Sequence, residues 1–173
     1  VWAMGVRNPF GLKGVGEHMF AADNGINIDR FLRIEKGANY LWNGTDASIG
    51  LNAEAVFATG NGVGQLDYNL GDSGLFPSRF GESFFLAITG GNQVKEGIPS
   101  IAVIPYDISE GAMRWFHNPL LRHIGEGAQI IAGMAFGPDG LYFAPMLPTG
   151  SETTAVLKVR YDPDAGYPFT FQE

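Results

Sequence analysis

Two stretches near the start of the chain combine residue types that could do chemistry. The first is Gly5-Val6-Arg7-Asn8-Pro9-Phe10-Gly11. Arg7 is a fixed cation with a planar donor fork. Asn8 offers both a donor and an acceptor. Pro9 biases Asn8 towards extended backbone, and glycines stand on either side, so two polar heads are presented on a stiff corner. The plain structural alternative is a corner in which Arg7 pairs with a carboxylate and Asn8 bonds the backbone. The second stretch is Asp23-Asn24-Gly25-Ile26-Asn27-Ile28-Asp29. Asp, Asn and backbone carbonyls in one short loop suit a hard cation such as Ca²⁺. An Asx-rich turn is the alternative there, because the dense carboxylate spacing of an EF-hand is missing.

These stretches need elements to hold them. Apolar runs at His18–Ala22 and Phe31–Glu35 read as strands on either side of the Asp23–Asp29 loop. The second leads into Lys36-Gly37-Ala38-Asn39-Tyr40-Leu41-Trp42. Two later units repeat the plan of strand, glycine-rich or polar loop, strand. One is Ser83–Ile88 with Ser100–Ile108, and the other is Leu141–Met146 with Thr154–Tyr161. Alternation such as Phe84, Leu86 and Ile88 on one side supports strands. The units recur at intervals longer than the ~40–50 residues of a minimal blade. The segments 43–74 and 118–128 are therefore insertions or extra strands. The best helix candidate is Asp46–Phe57, with Thr45 or Asp46 as its N-cap and Gly50 interrupting it. The segment Gly111–Ile124, which contains Pro119, reads as strand and turn.

Composition narrows the function classes. The chain has 173 residues, 45% hydrophobic and 17% charged, which is globular and enough for one domain with a real core. Its 25 glycines and 13 phenylalanines, scattered among short apolar runs, favour many strands and turns. A net charge of -7 and the lack of any Lys/Arg run argue against a nucleic-acid partner. No apolar run approaches the ~20 residues of a membrane-spanning helix. With no cysteine there are no disulfides, thiolate metal sites or Cys nucleophiles. Asn43-Gly44-Thr45 matches a glycosylation sequon, but a polar turn is the preferred reading.

The order G-x-R-N-P-x-G, strand, (D/E)-x-G, strand, K-G-x-N-Y-x-W resembles the glucose/sorbosone dehydrogenase family. Its members are soluble, pyrroloquinoline-quinone-dependent aldose sugar dehydrogenases built as six-bladed β-propellers. Phe76-Pro77-Ser78-Arg79-Phe80-Gly81 and Phe136-Gly137-Pro138-Asp139-Gly140-Leu141-Tyr142 look like later blades of that fold. The resemblance implies an all-β chain in which residues 1–173 form a partial β-propeller of about three blades, the C-terminal part of a longer protein. It implies that Arg7 and Asn8 contact the quinone oxygens of pyrroloquinoline quinone (PQQ). It implies that the carbonyls of Gly25 and Ile26 hold Ca²⁺; the family has Pro at position 26, and a carbonyl ligand does not depend on side-chain type. Arg30 stands where some members place a Glu that, with the Tyr matching Tyr40, binds a structural Ca²⁺, so that second metal is not carried over.

By the same resemblance, the activity is oxidation of an aldose at its anomeric carbon. The partners are a small-molecule sugar and an electron acceptor, and the compartment is periplasmic or extracellular. The catalytic His is expected on an earlier blade, upstream of this chain; His18, His117 and His123 do not match it. The usual basic residue of a later blade is missing after Ala87-Ile88-Thr89-Gly90-Gly91, and Lys95 reads as a solvated loop residue. Tyr40 and Trp42 could wall a sugar site, with core packing preferred for Trp42. Arg79 reads as a surface turn residue. The alternative to the enzyme is a non-catalytic propeller that binds carbohydrate or a protein partner. A generic scaffold of the NHL type is disfavoured, because the R-N-P and K-G-x-N-Y-x-W pieces occur together.

Overall fold

The computed structural model describes residues 1–45, 52–58, 62–90, 100–114, 118–122, 131–145 and 155–164. Three antiparallel sheets carry the chain, in the manner of consecutive propeller blades. The first runs β1 (Pro9–Val15), β2 (His18–Asp23), β3 (Ile28–Ile34), β4 (Ala55–Ala58) in simple up-and-down order. The second runs β5 (Val63–Asn69), β6 (Ser83–Ile88), β7 (Ser100–Asp107), with β8 (Ala112–Met113) and β9 (Asn118–Arg122) both pairing with β7. The third runs β10 (Ile131–Gly137), β11 (Gly140–Pro145), β12 (Leu157–Val159).

Period-two alternation gives each sheet two faces, and the apolar ones meet between sheets. Phe20 and Phe31 of the first sheet pack on Phe84 and Tyr106 of the second. Ring centroids lie 4.5 Å apart for Phe20–Phe84 and 4.9 Å for Phe31–Phe84, close enough for favourable tilted aromatic contact. On the opposite face of the second sheet, Phe85, Ala87, Ile101 and Val103 meet Ile131, Met134 and Leu141 of the third.

The first strands of the three sheets pack side by side, β5 between β1 and β10, and the sequence reading gave none of them bounds. Gly11 allows a close approach of β1 to β5: a Cβ there would sit 2.5 Å from Leu66 Cδ2 and 2.7 Å from the Gly64 carbonyl oxygen. Asp67 on β5 then ties all three together. One carboxylate oxygen is 2.5 Å from Lys13 Nζ on β1, and the other accepts the Phe136 amide of β10 at 2.6 Å. Each inner strand slips register near its beginning, between Pro9 and Gly11, Val63 and Leu66, and Ile131 and Gly133. Such irregularities re-aim side chains at one end of a sheet.

The long linking segments do contain extra strands, β4, β5 and β9. Residues 55–57, expected to end a helix, are strand instead. Ala55, Val56 and Phe57 pair with Phe31, Arg30 and Asp29, so the open edge of β3 overrides weak helical propensity. Residues 46–51 of that expectation lie outside the described residues, as do His117, His123 and Lys95. Asn43 forms the expected polar turn, its side-chain oxygen accepting from the Thr45 amide and hydroxyl. Arg79 is exposed, as read, in a short 3₁₀ turn over the Phe80 ring.

Two core tyrosines make stability sensitive to alkali. Tyr106 is fully buried, with Glu54 and Arg33 near its hydroxyl. Burial, with Glu54 adding, pushes it up to about 12. Burial, with Glu82 adding, does the same for Tyr68, also to about 12. Between pH 10 and 12 the unfolded chain releases these protons and the folded one does not. Their contribution is therefore complete below pH 10 and is lost as pH rises towards 12, at about 2 kcal/mol each. We expect urea-unfolding stability to fall across that window and the fall to be smaller in a Tyr68→Phe, Tyr106→Phe variant. An identical slope in both proteins would contradict this.

Candidate functional site

The Arg7–Asn8 corner is built by the segment in front of it. Residues 2–5 run alongside 37–42, and four backbone bonds lace them. Gly37 donates to Trp2 (2.8 Å), Met4 to Ala38 (3.1 Å), Tyr40 to Met4 (2.9 Å) and Trp42 to Gly5 (2.8 Å). This explains why the G-x-R-N-P and K-G-x-N-Y-x-W pieces travel together: one is the backbone partner of the other. Gly5 has φ +76°, and a Cβ there would lie 2.2 Å from Asn39 Oδ1. Only glycine fits.

Past Gly5 the chain turns onto Asp23 at the end of β2. One oxygen of Asp23 accepts the amides of both Arg7 (2.9 Å) and Asn8 (2.7 Å). The other accepts Arg30 Nη2 (2.7 Å) and Nε (3.1 Å). Arg30 also donates to the carbonyls of Tyr40 and Gly5. Asp23 and Arg30 are both fully buried. The carboxylate is thus a hub that sets the corner, and Arg30 is its buried ion-pair partner. The Arg30 guanidinium itself meets the carboxylate and carbonyl oxygens here.

The loop after β2 lies against the same corner. Asn24 donates its amide to the Asn8 carbonyl (3.0 Å), and its own carbonyl accepts Arg7 Nη1 (2.8 Å). Asn24 Nδ2 reaches the Val63 carbonyl at 3.3 Å. Gly25 donates to Asp29 Oδ1 (2.8 Å), while Gly62 donates to Asp29 Oδ2 (2.7 Å). The structure therefore brings Arg7, Asn8, Gly25 and Ile26 to one end of the first sheet. Asn8 is exposed and Arg7 half-buried. The Arg7 guanidinium stands 5.7 Å from the centre of the Trp42 ring.

Trp42 is thus not core, contrary to the preferred reading, but the aromatic neighbour of Arg7. Tyr40 does not wall an open site. It is buried, and its hydroxyl donates to the Arg33 carbonyl and accepts the Glu35 amide. Burial, the largest cause, raises its pKa. His18 lies away from the corner, its Nδ1 3.1 Å from Arg33 Nη2. Asp23 and Arg30 went unread as site-builders. The cue was two ionisable residues at the facing ends of neighbouring strands, Asp23 opposite Arg30.

The donor chemistry fits a hard cation at the loop. Among the described residues no three His, Asp or Glu form a ligand cluster, so main-chain oxygens would have to serve. Ile26 is half exposed (50%). A ligand bearing its own oxygens could complete the shell.

No family model matches the sequence, and no curated protein matches it. Solved structures do. The PQQ-bound aldose sugar dehydrogenase of Streptomyces coelicolor superposes with a TM-score of 0.65 at 19% identity, over 90% of this chain and 44% of that one. A Thermus thermophilus protein described as an oxidoreductase of the glucose dehydrogenase kind gives 0.60 at 20% identity, over 84% and 40%. At such identity the likeness establishes the fold. The chain spans less than half the length of either.

Proposed function

We propose that this chain supplies the quinone- and cation-holding part of a PQQ-dependent dehydrogenase that oxidises an aldose at its anomeric carbon. The observation that carries the reading is Asp23. A single buried carboxylate sets the amides of Arg7 and Asn8 side by side and is itself fixed by Arg30. Two polar heads held this firmly beside a carbonyl-rich loop suit a rigid, oxygen-bearing ligand. The fold shared with a PQQ-bound dehydrogenase supports the choice of ligand.

PQQ, when bound, supplies the electrophilic quinone that accepts a hydride from the sugar. Arg7 holds a permanent positive charge at the corner and favours a ligand oxygen on which negative charge grows. The Asn8 side-chain amide donates beside it and orients the ligand. The Gly25 and Ile26 carbonyls would hold Ca²⁺. His18 is engaged with Arg33, away from the corner, so the proton acceptor is assigned to another part of the protein. A small sugar as substrate, a separate electron acceptor and a periplasmic or extracellular setting belong to the same proposal. Within the described residues no helix is long and apolar enough to cross a membrane.

Equilibrium titration of the purified protein with PQQ, after stripping with EDTA and again after adding Ca²⁺, tests this. Saturable binding that needs Ca²⁺ is expected. No binding by a folded protein would leave Arg7 and Asn8 as a structural corner and favour a non-catalytic propeller.

A further inference from the structure

We infer that Asp29 is a positioning residue: it fixes the Asn24–Gly25 peptide, and through it the two carbonyls that follow, in readiness for the cation. This rests on the reading of the Gly25–Ile26 loop given above. In a trans peptide the C=O and N–H point in opposite directions. Here both ends of one peptide unit are taken by charged groups. The Asn24 carbonyl accepts the Arg7 guanidinium at 2.8 Å, and the Gly25 amide donates to the Asp29 carboxylate at 2.8 Å. Each is a charge-assisted bond, stronger than its neutral counterpart. The plane of that peptide is clamped between a cation and an anion.

A bond within the loop would account for the contact of Gly25 with Asp29 alone. It would not account for the second oxygen, which leaves the loop and takes the Gly62 amide at 2.7 Å, 33 residues away. Gly62 has φ +68° and leads into β5 of the next sheet. Its carbonyl accepts the Thr89 amide at 2.9 Å, at the end of β6. The loop is therefore referenced to the second sheet rather than to itself. Asp29 is fully buried, so bulk water does not compete for either bond. Gly25, lacking Cβ, would otherwise sample many conformations. Freezing it before the cation arrives removes an ordering cost from binding.

The test is Ca²⁺ calorimetry on the EDTA-stripped protein with PQQ in excess in the solution, wild type against Asp29→Asn. Groups that orient metal ligands typically change affinity by about 10–100-fold when replaced. We expect at least a tenfold weaker Ca²⁺ Kd in Asp29→Asn, with PQQ affinity at saturating Ca²⁺ little changed. Equal Ca²⁺ affinity in a folded variant overturns the inference and leaves the quinone reading standing. A wild-type protein that binds PQQ without Ca²⁺ does the same, and one that binds neither overturns both. Hydrogen exchange on the Ca²⁺-free wild type decides independently of whether the variant folds. Protected Gly25 and Gly62 amides support the clamp, and rapid exchange at Gly25 overturns it.

Discussion

Arg30→Met lowers the unfolding free energy by about 3–5 kcal/mol, the range for leaving one partner of a buried ion pair behind. Both members are fully buried, and Asp23 Oδ2 takes two guanidinium nitrogens. Methionine fills much of the volume but leaves that oxygen and the Tyr40 carbonyl without their Arg30 donors, while the Gly5 carbonyl keeps the Trp42 amide. Removing both charges often restores stability elsewhere. It should fail here, because Asp23 also holds the amides of Arg7 and Asn8. The Asp23→Leu, Arg30→Met double variant is expected to stay destabilised and to lose PQQ affinity. Urea unfolding measures the first effect. A cost under about 1 kcal/mol for Arg30→Met would mean that the pair does not organise the corner.

Arg7→Ala has the opposite profile. Its backbone amide still reaches Asp23, so the corner survives. The lost side-chain contacts are one bond to the Asn24 carbonyl and the approach to Trp42, both half-exposed and worth about 1 kcal/mol together. PQQ loses a charge-assisted pair of bonds, about 2–3 kcal/mol, or roughly 100-fold in Kd. Calorimetry and a thermal melt on the same sample separate the two. Unchanged PQQ affinity would remove Arg7 from the site. A large loss of stability would make it a structural residue like Arg30.

The sequence showed more of the architecture than of the site's support. Strands β2, β3, β6 and β7 were legible because Phe, Leu, Ile and Ala alternate there over continuous runs. The first strand of each sheet was harder to delimit. Pro9–Val15, Val63–Asn69 and Ile131–Gly137 each contain glycine and a register slip, which breaks the alternation that marks a strand. Their glycines serve close packing around the centre, a demand set by the assembled sheets. Residues 55–57 went to strand because β3 offered an edge, another tertiary effect. At the site, Arg7, Asn8, Gly25 and Ile26 stood out by motif, and the structure gathers them at one end. Asp23 and Asp29 were read only as members of a cation loop and Arg30 only as a departure from the family pattern, because their roles depend on pairing across strands and sheets. Trp42 was read as core because a tryptophan usually is. Its contact with Arg7 follows only from the lacing of residues 2–5 onto 37–42.

The most direct test is a crystal structure of the protein soaked with PQQ and Ca²⁺. The account predicts quinone density touching the side chains of both Arg7 and Asn8, with a Ca²⁺ peak at ordinary Ca–O distance, about 2.3–2.6 Å, from the Gly25 and Ile26 carbonyls. Quinone bound elsewhere, or a cation that ignores those two carbonyls, would contradict it.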